Sequence, residues 1–232
     1  MKFYSLVAAS ASALTLFAIS PAKAETFAFD QTAYHIYYNE FDRYAAADWT
    51  ITNVGVTPTN ALTSIDGGAL LTTITAADND GSFLQLPTNG FLFDPAKRLY
   101  FKARFKVSDA TQSDVIFGLQ VLDTTPLAVT DGIWFYKADD AATLSFNVAK
   151  ASVQTTVPAI ATVVANTFMV LEFYYDPGDS SIKYYVDGVM LGETVITNAP
   201  NVQALTVSFG LQNGDAVIRN MTTDYVFAAK ER

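Results

Sequence analysis

The feature that most constrains this chain is the stretch Leu99-Tyr100-Phe101-Lys102-Ala103-Arg104-Phe105-Lys106-Val107. Its odd-numbered positions are apolar, and Lys102, Arg104 and Lys106 fall between them. A period of two suits an extended strand with one face on a core and the other in water, and it does not suit a helix. Ile182-Lys183-Tyr184-Tyr185-Val186 is less strict but similar in kind.

Shorter runs rich in β-branched and aromatic residues continue along the chain. The pattern predicts strands over 48–54, 68–76, 82–86, 99–107, 114–123, 132–138, 143–150, 157–164, 168–176, 181–187, 189–196, 203–212 and 215–228. Turn signals separate them: Asp66-Gly67-Gly68, Asp80-Gly81, Asp131-Gly132, Asp176-Pro177-Gly178-Asp179, Asp187-Gly188 and Asn213-Gly214. These residues tolerate positive φ or preset a turn. Val186-Asp187-Gly188-Val189 is a tight-hairpin signature. No long stretch beyond residue 25 keeps a helical period, and no internal repeat or low-complexity tract is present. The expectation is an all-β chain: a two-sheet antiparallel β-sandwich or jelly roll with an N-terminal arm. At 232 residues it is long enough for one well-cored domain. The division expected is 1–47 for the arm and an aromatic transition, and 48–232 for the sandwich.

Half the residues are hydrophobic and 16% are charged, which excludes a disordered chain. A net charge of −9 argues against direct contact with nucleic acid, whose phosphates require a basic patch. The densest basic cluster, Lys97, Arg98, Lys102, Arg104 and Lys106, reads as one solvated strand face rather than an acid-binding stripe. The absence of cysteine excludes disulfides, zinc–thiolate sites and cysteine nucleophiles.

Met1–Ala24 has the look of a secretory leader. Lys2 is followed by a mostly apolar run from Leu6 to Ile19 and by Ala22-Lys23-Ala24, a small-x-small site. Ser10, Ser12 and Thr15 dilute that run, and the rival reading is an arm docked on protein. The segment is too short for a confident membrane span. Residues 25–47 then hold Phe27, Phe29, Tyr34, Ile36, Tyr37, Tyr38, Phe41 and Tyr44 with no clean period, a pattern of core or interface.

Chemistry is sparse. His35 is the sole histidine, without an evident triad or ligand set. Of the five glutamates, Glu40-Phe41-Asp42 comes nearest to the alternating carboxylates of a retaining glycosidase, but the second glutamate is missing. Asp78-Asn79-Asp80-Gly81 has half the form of a calcium loop without its later glutamate and reads as a polar turn. Asp139-Asp140 and the Asp176/Asp179 pair read the same way. Trp49 and Trp134 fall in strand-like runs, where core burial is expected. No phosphate-binding glycine loop occurs. The expectation is a chain without cofactor, without metal and without enzymatic activity.

The run Phe117-Gly118-Leu119-Gln120-Val121-Leu122-Asp123-Thr124-Thr125-Pro126, followed by Asp131-Gly132-Ile133-Trp134-Phe135, resembles a family of tailed-bacteriophage virion proteins. Later segments agree: Phe173-Tyr174-Tyr175-Asp176, Tyr185-Val186-Asp187-Gly188-Val189, Leu205 to Gly214, and Asp224-Tyr225-Val226-Phe227-Ala228-Ala229-Lys230-Glu231-Arg232. The resemblance implies a concanavalin-A-like sandwich that decorates or cements a capsid. It implies a homo-oligomer whose partners are the major capsid protein and neighbouring copies, located on the capsid exterior, with no membrane. Contact residues expected under it are Leu14, Phe17, Phe27, Phe29, Tyr34, Tyr37, Tyr38 and Phe41. It carries over no catalytic residue. The alternatives are a secreted or periplasmic carbohydrate-binding lectin-like domain and a phage tail or receptor-binding component.

Overall fold

The structure is a computed structural model and describes residues 32–56 and 58–232. The expected contact residues Leu14, Phe17, Phe27 and Phe29, and the leader-like segment, lie outside the described residues.

Among the described residues sixteen strands form two antiparallel sheets of eight. The first sheet takes β1 (Tyr34–Asn39), β3 (Thr59–Thr63), β4 (Ala69–Ile74), β7 (Leu99–Val107), β12 (Met169–Tyr175), β13 (Ser181–Val186), β14 (Val189–Val195) and β16 (Arg219–Glu231). The second takes β2 (Thr50–Val54), β5 (Gly81–Gln85), β6 (Phe91–Leu92), β8 (Ser113–Gln120), β9 (Gly132–Lys137), β10 (Thr143–Lys150), β11 (Val153–Thr162) and β15 (Ala204–Asn213). Their orders are β14-β13-β12-β7-β16-β4-β3 and β11-β10-β9-β8-β15-β5-β2.

One long strand organises each sheet. β16 pairs with β7 along one side; on the other it pairs with β4 through Arg219–Thr223 and with β1 through Val226–Glu231. β15 pairs with β8 on one side and with β5 and β6 on the other. The two inner faces interdigitate as an aromatic core. Phe117 stacks on Phe209 at 5.6 Å within the second sheet, and Phe101 stacks on Phe173 at 5.3 Å within the first. Phe105 bridges the sheets to Phe117 at 4.7 Å, and Phe135 and Phe146 reach Phe173.

The alternation of 99–107 is realised residue by residue in β7, where Leu99, Phe101, Ala103, Phe105 and Val107 are buried. The second sheet departs from alternation. In β8 every residue except Asp114 is buried, because residues 121–131 cross its outer face as a strap. Leu127 and Val129 of the strap pack on an outer cluster of Phe83, Ile116, Trp134 and Ala149. The strap closes on itself through the Val121 N–H donating to the Asp131 carbonyl, and Gln85 ties it down through the Val121 carbonyl and the Asp123 N–H.

Strands β3 and β6 were not expected from the sequence. Thr59–Thr63 is too polar to show a face, and two residues are too few to show a period. The segment expected as strand 157–164 is shifted, since β11 begins at Val153.

Candidate functional site

The candidate site is an open groove of about 850 Å³ beside the end of β1, lined by Tyr38, Asn39, Glu40, Asp42, Arg43, Tyr44, Ala45, Asp48 and Leu62. Its shape is set by the turn after β1. The Asn39 side-chain carbonyl accepts the Phe41 N–H at 2.8 Å, and the Asn39 amide donates to the Tyr37 hydroxyl at 3.3 Å. Phe41 takes φ 55°, a left-handed conformation costly for a bulky residue. Packing offsets that cost. Its ring is fully buried, stacked on Trp49 at 6.2 Å and edge-on to Phe209 at 5.9 Å. Gly68 makes room beneath it, since a Cβ there would lie 2.5 Å from the Phe41 carbonyl oxygen.

As Phe41 turns inward, its neighbours Glu40 and Asp42 turn out into the groove. Tyr38, 55% exposed, donates its hydroxyl to Glu40 at 2.9 Å. Burial first, and then that carboxylate, push the Tyr38 phenol above its usual range. Tyr44 is half-buried and pushed upward by burial. A 3-10 turn at Ala46–Asp48 sets Asp48 on the rim, held by its N–H on the Ala45 carbonyl at 3.0 Å. Arg43 and Asp42 approach to 3.9 Å, both largely in solvent. Two phenol rings beside three carboxylates, an amide and a guanidinium can seat a polyhydroxylated ligand, the rings against C–H faces and the polar groups on hydroxyls.

Tyr38 enters the groove, Phe41 underpins it from the core, and Tyr37 is half-buried, edge-on to Trp49 at 6.0 Å. Tyr34 stands apart on β1, opposite Glu231. Glu40 and Asp42, singled out in sequence as an incomplete acid pair, share the groove. Tyr44 was visible in the aromatic run, whereas Asp48 and Leu62 carried no signal. His35 packs against Phe91 at 4.8 Å, away from the groove lining. Trp49 and Trp134 are 6% and 4% exposed.

The basic cluster lies on the outer face of the first sheet and is largely neutralised there. Lys102 meets Glu172 at 3.3 Å, Arg98 meets Asp176 at 2.7 Å, and Arg104 pairs with Asp224. Glu172 also accepts the Tyr100 hydroxyl at 2.5 Å. In Asp78-Asn79-Asp80-Gly81, Asp80 is buried and accepts from the Val56 N–H and the Thr75 hydroxyl, as a turn-forming residue does. Among the described residues no group of His, Asp or Glu is arranged to hold a metal ion, and no helix is long and apolar enough to cross a membrane.

No family model and no curated protein matches the chain. Solved structures do, and they share its fold, a two-sheet sandwich like the jelly rolls of lectins and glucanases. An endo-1,3-beta-glucanase from Streptomyces sioyaensis superposes with a TM-score of 0.62 at 13% identity, covering 86% of this chain and 97% of that one. An endo-beta-1,4-glucuronan lyase from the fungus Trichoderma reesei gives 0.58 at 14% identity, covering 84% and 95%. Peanut lectin gives 0.57 at 12% identity, covering 85% and 97%.

The expectation of a chain without enzymatic activity is corrected here. This sandwich is a fold that carries hydrolases and lyases as well as lectins. The missing glutamate spacing tests only one of the mechanisms such a fold can support, since some glycosidases use other nucleophiles or the substrate itself. The virion role has no counterpart among these similar structures.

Proposed function

We propose that this protein recognises a glycan in the groove between Tyr38 and Tyr44. The observation that carries this reading is the lining itself: two tyrosines and the polar side chains of Asn39, Glu40, Asp42, Arg43 and Asp48 around one open cleft. Its similarity in fold to lectins and glycan-cleaving enzymes supports the same class of ligand.

The test is affinity electrophoresis and calorimetry against a panel of soluble β-glucans, uronic polysaccharides and galactosides. Tyr38→Ala and Tyr44→Ala should each weaken binding about tenfold or more, the loss of one ring contact of about 1.4 kcal/mol, with unchanged circular dichroism. Retention of wild-type affinity by both variants would remove the groove from the account. The same samples are assayed for new reducing ends and unsaturated products. Turnover abolished by Glu40→Gln would extend the proposal from binding to cleavage.

A second reading, assembly into a larger particle through copies of this chain and a capsid protein, is favoured by the open edge of the first sheet. There Val189, Met190, Leu191 and Val195 of β14 are exposed at 60, 46, 41 and 57%, an unusual run of apolar side chains on an edge strand paired only with β13. Sedimentation velocity tests it: a monomer at all accessible concentrations that also fails to bind purified capsids removes it.

A further inference from the structure

We propose that Lys137 fills a cation site built by its own chain, so that one end of the sandwich is held together without a bound ion. Lys137 closes the inward-facing row of β9, after Ile133 and Phe135, and is 0% exposed. Its ammonium donates to three backbone carbonyls: Thr111 at 3.3 Å, Ala138 at 3.2 Å and Ala141 at 3.1 Å. An ammonium has three protons and no lone pair, so every donor is used. Three converging carbonyls without a cation would be acceptors facing one another, an arrangement that oxygen-ligated hard cations ordinarily satisfy.

Neighbouring carboxylates oppose the cost of burying the charge. Asp109, Asp114 and Asp139 face it and hold it up against burial, which pulls Lys137 down to about 8 and leaves it an ammonium at neutral pH. These carboxylates are themselves committed. Asp114 accepts from the Tyr136 hydroxyl at 2.5 Å and the Asp139 N–H at 3.0 Å, and Asp109 accepts from Thr111, Gln112 and Arg219. The ammonium therefore joins two turns, 109–113 and 138–142, and the Asn213-Gly214 turn packs against both. The Asp139 carboxylate lies against Gly214, whose Cβ, if present, would sit 1.7 Å from an Asp139 oxygen, and the Gly214 N–H donates to the Gln112 carbonyl.

The test is chemical replacement in the full-length protein. Lys137→Ala removes the ammonium and its stem and should lower the melting temperature by roughly 5 °C or more. Millimolar n-propylammonium chloride, which carries the three carbons and the three donors that the substitution removes, should restore at least half of that loss. Tetramethylammonium chloride at equal ionic strength has no donor and should restore none. Lys137→Met keeps the bulk without the charge and decides the matter if Lys137→Ala does not fold. It should be destabilised, and the wild type should keep its melting temperature in excess chelator. A Lys137→Met protein as stable as the wild type, or rescue of Lys137→Ala by both ammonium salts alike, would overturn the proposal.

Discussion

The two sheets present opposite solutions on their outer faces. On the first sheet, Lys102, Glu172, Arg104 and Asp224 stand on the solvent side, paired with one another and partly exposed. On the second, Gln85, Gln120, Thr206 and Ser208 occupy the equivalent outward positions but are fully buried beneath the strap, beside Trp134. Outward polarity therefore means different things on the two sides. Charges can stay in water and neutralise one another cheaply, whereas amides and hydroxyls taken out of water must find partners. They largely do. Gln120 donates to the Ser208 hydroxyl at 2.8 Å, and Thr206 donates to the Leu86 carbonyl at 3.0 Å, while the Gln120 side-chain carbonyl oxygen is left without a protein partner.

The sharpest way to break this contrast is to remove one side chain from each face and compare urea midpoints. Trp134→Ala should cost about 3–5 kcal/mol, as for a large buried aromatic. Lys102→Ala should cost less than about 1 kcal/mol, because the pair is partly solvated and Glu172 keeps the Tyr100 hydroxyl. Equal costs would mean that the strap does not pack as described.

Next in size is Gly118→Ala in β8. A Cβ there would lie 2.4 Å from the Ile133 carbonyl oxygen and 2.6 Å from Trp134, both in the adjacent strand, so about 1–3 kcal/mol should be lost through backbone displacement. A double-mutant cycle sharpens the polar half of the comparison. Gln120→Leu and Ser208→Ala should each cost about 1 kcal/mol, and the pair together should return close to the wild type, because no stranded donor or acceptor remains.

The smallest effect is on the charged side. The Gly178 N–H, the Arg98 guanidinium and the Tyr174 hydroxyl hold Asp176 down to about 2. A carboxylate whose pKa is lowered by folding contributes stability above its ordinary value of 3.8, and that contribution is lost as pH falls toward 2. After solvent screening it amounts to about 1 kcal/mol. Asp176→Asn should flatten the acid limb of the stability profile over that window and nowhere else.

The same contrast explains what could be read from the sequence. β7 and β12 alternate because water meets one side of the first sheet, so their positions and faces were legible. β8 and β15 are buried along most of their length because the strap covers the other side of the second sheet, and such a run shows a strand without showing which side faces in. β1 was hidden in an aromatic stretch without period, since Ile36 and Tyr37 on its opposite sides are both half-buried. The groove was legible only in pieces. Glu40, Asp42 and Tyr44 were noticed, but the inward turn of Phe41 and the approach of Leu62 depend on pairings distant in sequence.

The placement of β15 and β16 bears on how the protein is made. These two strands come last in the order of elements, yet each lies between earlier strands at the middle of its sheet. During translation, β4 and β7, and likewise β5 and β8, wait with open backbone edges for partners still inside the ribosome. At about 5–20 residues per second the interval between β8 and β16 lasts roughly 5–20 s. The sandwich therefore closes after synthesis of β15 and β16, and until then those edges stay open to pairing with a neighbour.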